Sequence, residues 1–236
     1  MPNDVPFPMM LASSVHDIKN SLGMLLHTLD SVIEATPEAS DLQRAQFATL
    51  RGEASRINNS MIYLLGLYRL QEKQLPLQIQ EVFVADFLEE QIAANELLFS
   101  IRRLRVICDC DDDLRAYFDP TLIAGVLNNV LVNASRYAHD SIVLIARPNG
   151  KNGVIIEVRD DGPGFPEKML STSTSDTQPD EFNNDDRGID FNSGSTSLGL
   201  YFAAQVAHLH RRAEQHGQIE LTNIQPHGSC FRLILP

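Results

Sequence analysis

The stretch VRDDGPGFP, Val158–Pro166, follows an apolar run, and the reading of its aspartate and glycines decides the fold. Asp160 ends a strand. Gly162 and Gly164 let the backbone turn tightly and let a ligand come close to it. On these residues alone two readings stand: a plain turn, or the rim of a binding site.

Upstream, Asp119-Pro120 reads as an N-cap followed by proline at the first helical position, opening a helix through about Ala138. That helix contains LNNVLVNASRY, Leu127–Tyr137. Asn129, Asn133 and Arg136 follow at spacings of 4 and 3 and share one face, with Tyr137 next in line. Asparagine competes with the helix backbone, so two on one face need a reason. Mg²⁺ bound with phosphates would supply one, because the Asn carbonyl is an oxygen ligand. Hydrogen bonding between helices is the alternative. Downstream, GSTSLGLYF, Gly194–Phe202, runs small residues into a helix start, where free N–H groups and the positive dipole end suit phosphate. The polar, Gly-containing segment between Met169 and Ser197 reads as a lid over a ligand or as an unstructured insertion.

Composition narrows the function classes. Thirty-one acids against 19 Lys and Arg give a net charge of −12, which repels phosphate backbones and argues against nucleic acid as a partner. A local nest or a metal can still hold a small anion. No run reaches the roughly 18 apolar residues of a membrane span, so no insertion into a bilayer is expected. The opening MPNDVPFPMM lacks the basic and cleavable segments of a signal peptide, so the expected location is cytoplasmic. Cys108, Cys110 and Cys230 lack CxxC spacing and read as reduced, packed thiols.

The chain changes grammar near "EKQLPLQ", which divides it into residues 1–75 and 76–236. In the first part, Leu11, Val15, Ile18, Leu22, Leu25, Leu29 and Val32 alternate steps of 4 and 3, an a/d seam. After "EATPEAS", Ser40 and Gln43 resemble a capping box opening a second helix. Its seam is Phe47, Leu50, Ala54, Ile57, Met61, Leu64 and Tyr68. Leu26, Ile33, Ile62 and Leu65 widen both stripes beyond what two helices can cover. The expectation is a helical hairpin that pairs with a second copy into a four-helix bundle, a homodimer. Packing onto the rest of the same chain is the alternative.

The second part mixes helices and strands. The pattern predicts a helix over Ala85–Ile101, strands at 105–110 and near Leu114–Phe118, and adjacent strands in SIVLIARP and GVIIEVRD. A helix is expected over SLGLYFAAQVAHLHRRAEQHG, and a closing hairpin from GQIELTN and SCFRLILP. The class is α+β: a sandwich of a mixed, antiparallel-rich sheet with helices on one face.

Together with SSVHDIKNSLGML, Ser13–Leu25, these motifs acquire an order. Over nearly its whole length the sequence resembles the sensor histidine kinase family. HDIKN is similar to its phosphoacceptor box, NVLVN to its N box, DDGPG to its G1 box and GSTSLGL to its G2 box. The resemblance implies a Bergerat-type (GHKL) ATP-binding fold with a lid at about 166–197. Asp160 would accept a hydrogen bond from the adenine amino group, with Gly162 and Gly164 shaping the loop. Asn133 would ligate Mg²⁺ and Asn129 would help on the same face. Arg136 would meet the phosphates, and Tyr137 would pack near adenine. Gly194, Gly199 and their neighbours Thr196 and Leu198 would form the lid's hinge and phosphate contacts.

His16 would be the phosphorylated residue, with Asp17 polarising it. The periodicity agrees, since Val15 at a puts His16 at b, away from the seam, with Asn20 one turn along. His27, followed by Thr28 rather than an acid, lacks that setting. The implied activity is ATP-dependent autophosphorylation of His16 and transfer to an aspartate of a response regulator receiver domain. An amide at Asn20 would also orient water for dephosphorylating that regulator.

Three departures stand out. Ser21 replaces a frequent proline, Ser197 replaces a glycine of the G2 box, and the F box is unrecognised, with Phe182 and Phe191 as candidates. They leave room for a second reading, a dimeric phosphotransfer or docking scaffold with a decayed ATP domain, against which Asp160, Asn129 and Asn133 argue. A related ATPase of the DNA-repair or chaperone kind would leave the helical hairpin with HDIKN unexplained.

Overall fold

The computed structural model describes residues 7–36, 40, 42, 43, 46, 47, 50, 54, 57, 61, 77–170 and 196–236. Within helices, the side chains of 7–17, 19, 30, 34, 168 and 196–198 lie outside that description. The chain divides into two compact units, Met1–Leu75 and Pro76–Pro236.

The first unit contains α1 (Phe7–Ala35), which runs unbroken through Ser21. Serine keeps the backbone N–H that proline would remove, so no kink is imposed there. Near the helix end, Thr28 and Thr36 donate to the Met24 and Val32 carbonyls at 2.8 Å, and Ser31 donates to His27 at 3.0 Å. The capping box is formed: Ser40 N–H donates to Gln43 Oε1 at 2.9 Å and Gln43 N–H to Ser40 Oγ at 3.3 Å. Beyond it Leu42, Gln43, Gln46, Phe47, Leu50, Ala54, Ile57 and Met61 are helical. Along the seam of α1, Ile18, Leu25 and Val32 are 42%, 51% and 41% exposed.

The second unit is a two-layer sandwich. Its strands are β1 (Gln80–Phe83), β2 (Arg105–Asp109), β3 (Arg115–Phe118), β4 (Ser141–Asn149), β5 (Gly153–Asp160), β6 (Arg211–Arg212), β7 (Gln215–His216), β8 (Gln218–Asn223) and β9 (Ser229–Leu235). Its helices are α2 (Val84–Ala94), α3 (Glu96–Arg102), α4 (Pro120–Tyr137), α5 (Glu167–Leu170) and α6 (Thr196–Leu209). The main sheet has five strands in the order β2-β4-β5-β9-β8. β2 pairs parallel with β4, and every other pair is antiparallel. The mixed sheet with helices on one face is the expected class. β1, which the pattern did not resolve, pairs with β3 as a separate two-stranded ribbon.

Alternation in the strands builds the core. Ile142, Leu144 and Ala146 of β4, Val154, Ile156 and Val158 of β5, and Phe231, Leu233 and Leu235 of β9 are all buried. They meet the buried stripe of α4: Ile123, Val126, Leu127, Val130, Leu131 and Ala134. Off that face, Glu157 is bonded by Arg159 and by Arg232 (2.8 Å), and Arg232 also reaches Glu220 (2.8 Å).

The start of α4 is set by its cap. Asp119 Oδ1 accepts from the Thr121 and Leu122 N–H groups at 3.0 and 3.1 Å, with proline at the first helical position. The Asp119 N–H donates to Nε2 of buried His210 at 3.0 Å, and His210 Nδ1 lies 2.8 Å from the Val206 carbonyl. A donor at Nε2 and an acceptor at Nδ1 require the neutral Nδ1–H tautomer. Burial accordingly pushes the His210 pKa down, the bond to Val206 and the field of Asp119 opposing it.

Two expected helices are corrected. The segment over Ala85–Ile101 breaks at Asn95, whose Nδ2 donates to the Gln91 carbonyl at 3.0 Å while its backbone leaves helical geometry at φ −110°, ψ 5°. The segment over 197–217 stops at Leu209. There the burial of His210 wins over local propensity. Gly217 N–H donates to the His210 carbonyl at 2.7 Å, and the residues between form the β6–β7 hairpin. His216 stacks on His208 with ring centroids 4.1 Å apart.

Candidate functional site

A cavity of about 470 Å³ opens in the second unit, lined by residues of α4, β5, α5, α6 and β9 and the loop after β5. Val130 and Ala134 of α4, Val158, Phe231, Leu200 and Met169 give it apolar walls. Asn133, Tyr137, Asp160 and Ser229 supply the polar groups. An apolar slot with a few fixed polar groups suits a flat heteroaromatic ligand.

Asp160 is held from two sides. Its Oδ1 accepts from the Gly162 N–H at 2.8 Å, and its Oδ2 accepts from Ser229 Oγ. Asp160 and Ser229 are register partners in the β5–β9 pair, so the sheet itself brings them together. Both carboxylate oxygens are positioned, and each keeps acceptor capacity for a ligand donor. Ser229 belongs to none of the sequence motifs. The signal was register across residues far apart in the chain, which no local motif carries.

The two glycines of the loop have separate reasons. A Cβ at Gly162 would lie 2.5 Å from the Tyr137 carbonyl oxygen, so only glycine lets the loop cross the end of α4. Gly164 sits at φ +88°, a left-handed conformation. Between them and α4, Asp161 gathers four donors. They are the N–H groups of His139 (2.8 Å), Asp140 (3.1 Å) and Ser141 (2.9 Å), and Ser141 Oγ (3.0 Å). Burial pulls the Asp161 pKa upward, but the donors from Asp140, His139 and Ser141 outweigh it, and the carboxyl ends below its ordinary value.

The asparagine face of α4 is as the spacing predicted, though its members differ in depth. Asn133 lines the cavity, and its Nδ2 lies 3.4 Å from Asn129 Oδ1. Asn129 is buried, and its Nδ2 has no hydrogen-bond partner among the described residues. A Cβ added at Gly199 would overlap the Asn129 carboxamide, so glycine there lets α6 close onto α4. An orphaned buried amide costs roughly 1–3 kcal/mol, which marks Asn129 as awaiting a partner. Tyr137 is exposed at the rim, and Arg136 is half-buried and absent from the lining.

Other expected residues do not enter this geometry. Gly194, Phe182, Phe191 and residues 171–195 of the lid expected at about 166–197 lie outside the described residues, as do the side chains of Thr196, Ser197 and Leu198. His16 and Asp17 lie within α1 in the other unit, their side chains likewise outside the description, and Asn20 is exposed there. The three cysteines are free, as expected. Burial pushes the Cys108 and Cys230 thiols up and lifts Cys110 to about 11, away from the reactive thiolate; Cys230 is buried, whereas Cys108 and Cys110 are half-buried.

Residues 118–236 match the family described as histidine kinase-, DNA gyrase B- and HSP90-like ATPase. The sensor-like histidine kinase SenX3 of Mycobacterium tuberculosis is 25% identical over 227 residues, covering 96% of this chain and 53% of SenX3. The signal transduction histidine-protein kinase AfsQ2 of Streptomyces coelicolor is 29% identical over 185 residues, 78% of this chain and 31% of AfsQ2. The chain thus spans about half the length of SenX3 and less of AfsQ2. The crystal structure of full-length ShkA in complex with AMPPNP shares the fold, with a TM-score of 0.64 at 17% identity over 97% of this chain and 46% of ShkA. No helix among the described residues is long and apolar enough to cross a membrane. With the nucleotide-sized cavity, the glycine loop and the paired asparagines on one side and these matches on the other, the chain belongs to the histidine kinase-, DNA gyrase B- and HSP90-like ATPase family, with sensor histidine kinases among its relatives.

Proposed function

We propose that the chain is the kinase core of a two-component system, which binds ATP in the cavity, phosphorylates His16 and passes the phosphoryl group to an aspartate of a response regulator. The observation that carries this reading is the cavity floor: Asp160, fixed by the Gly162 N–H and by Ser229, presents a carboxylate at the end of an apolar slot. There it accepts a hydrogen bond from the adenine amino group while Val130, Val158 and Phe231 cover the ring. Tyr137 packs at its edge.

The orphaned Asn129 amide and the Asn133 carbonyl mark the polar end, where the phosphates belong. The donor set fits Mg²⁺, which binds through one or two protein oxygens plus phosphates and water. Asn133 would hold the ion, with Asn129 behind it and Arg136 toward the phosphates. When bound, the ion neutralises charge on the transferring group. Gly194, Thr196, Leu198 and Gly199 belong to the lid side of the phosphates in the same reading.

A ring nitrogen of His16 attacks the γ-phosphorus in line, the bond to the β,γ-bridging oxygen breaks, and ADP leaves. Asp17 stabilises the imidazole tautomer that attacks. Asn20 orients water against the regulator's acyl phosphate, adding a phosphatase activity. The exposed seam of α1 supports the homodimer, because Ile18, Leu25 and Val32 gain by burial against a second copy. Calorimetry of the full chain with ATP and Mg²⁺ tests the nucleotide step: a 1:1 isotherm is expected, and no heat at millimolar ATP would leave the scaffold reading in its place.

A further inference from the structure

Asn223, the last residue of β8, lies outside every motif that pointed to the cavity, yet its carboxamide grips one of the cavity's walls. The Phe165 N–H donates to Asn223 Oδ1 at 2.7 Å, and Asn223 Nδ2 donates to the Phe165 carbonyl at 2.9 Å. A single side chain thereby reproduces the two-way bonding of a β-ladder. Gly164, one residue earlier, stands at φ +88°, and a Cβ there would come within 2.8 Å of Asn223 Oδ1. Gly164, Phe165 and Pro166 all line the cavity. Asp161 ties the near end of the same loop to the turn after α4, which leaves Asn223 to tie its far end.

We propose that Asn223 is a positioning residue that presets the Gly164–Pro166 wall for nucleotide, and so governs ATP affinity rather than the rate of phosphoryl transfer. The inference rests on the nucleotide reading of the cavity. Asn223 is exposed, so its two bonds compete with water and the clamp shifts a population rather than locking it. When the wall is in place in only a fraction of molecules, apparent affinity falls by that fraction. The bound state itself is unchanged, and so is turnover at saturating ATP.

The test compares the full chain with Asn223→Ala and Asn223→Asp, by calorimetry with ATP and Mg²⁺ and by the ATP dependence of phosphorylation. Both variants are expected to raise Kd and KM for ATP about three- to tenfold, with kcat within about twofold of wild type. The aspartate is isosteric and still accepts from the Phe165 N–H, but its second oxygen faces the Phe165 carbonyl. It therefore loses at least as much affinity as the alanine. Wild-type affinity in Asn223→Asp beside a weakened Asn223→Ala would reduce the residue to space filling and overturn the proposal. So would wild-type affinity in both, or a fall in kcat at unchanged KM. Failure of the wild-type chain to bind ATP would instead overturn the nucleotide reading, and this inference with it.

Discussion

Helices α1 and α4 have similar amphipathic grammar and opposite fates. In α4 the apolar stripe is consumed inside its own unit, against β5, α2, α3 and α6. Its ends are set by Asp119 and by the Asp161 nest, and its asparagines sit in or beneath a cavity. In α1 the seam residues Ile18, Leu25 and Val32 stay substantially exposed. Full burial of such a side chain yields roughly 1.5–3 kcal/mol, so this exposure leaves a sizeable association energy unused. A helix whose stripe is satisfied locally can spend its polar face on a ligand. In the proposed dimer, a helix with an exposed seam supplies half of an interface and presents its polar face on the assembly.

That contrast can be broken by experiment. The largest effect is expected from Asp160→Ala, which removes a fixed carboxylate from the cavity floor. Loss of a charge-assisted hydrogen bond predicts ATP binding weaker by about 10- to 100-fold in calorimetry, with the oligomeric state unchanged. Leu25→Glu is the reciprocal change. It should weaken self-association about tenfold or more in sedimentation equilibrium while ATP affinity stays within about twofold, because a charge is buried without a partner. If either variant moves both properties, the two helices do not divide the work as described.

Gly199→Ala probes how tightly α6 sits on α4. The added methyl overlaps the Asn129 carboxamide, so the start of α6 has to shift, and ATP affinity should drop about tenfold. A smaller effect concerns pH. Asp161 has a depressed carboxyl pKa, so its stabilisation is present above the unfolded value of about 3.9 and is lost as pH falls through the folded value. His210 is held neutral, so the unfolded chain binds its proton first, and stability falls as pH drops below about 6.5. Thermal unfolding should therefore weaken in two stages on acidification. Asp161→Asn should flatten the lower stage and leave the upper one intact.

Much of the fold of the second unit is legible in local sequence. Asp119-Pro120 announced α4, and Ser40 with Gln43 announced the capping box that the structure forms. Alternation exposed β4, β5, β8 and β9. Two helix ends are set by single side-chain bonds, one local and one distant. Asn95 breaks a helix by bonding to Gln91, and His210 ends one by bonding to Asp119, 91 residues away in the chain. The site divides the same way: Asp160, Asn129, Asn133 and the glycines stand in motifs, whereas Ser229 and Asn223 reach the cavity through sheet register and a side-chain clamp. Sequence periodicity carries no information about either.

The proposed kinase activity requires that the ATP site serve His16. Incubating the full chain with γ-labelled ATP and Mg²⁺, beside His16→Gln, tests it most directly. The wild-type chain should carry an acid-labile, base-stable label and His16→Gln none, while both bind ATP equally. Label retained by His16→Gln, or an unlabelled wild-type chain that still binds ATP, would contradict it.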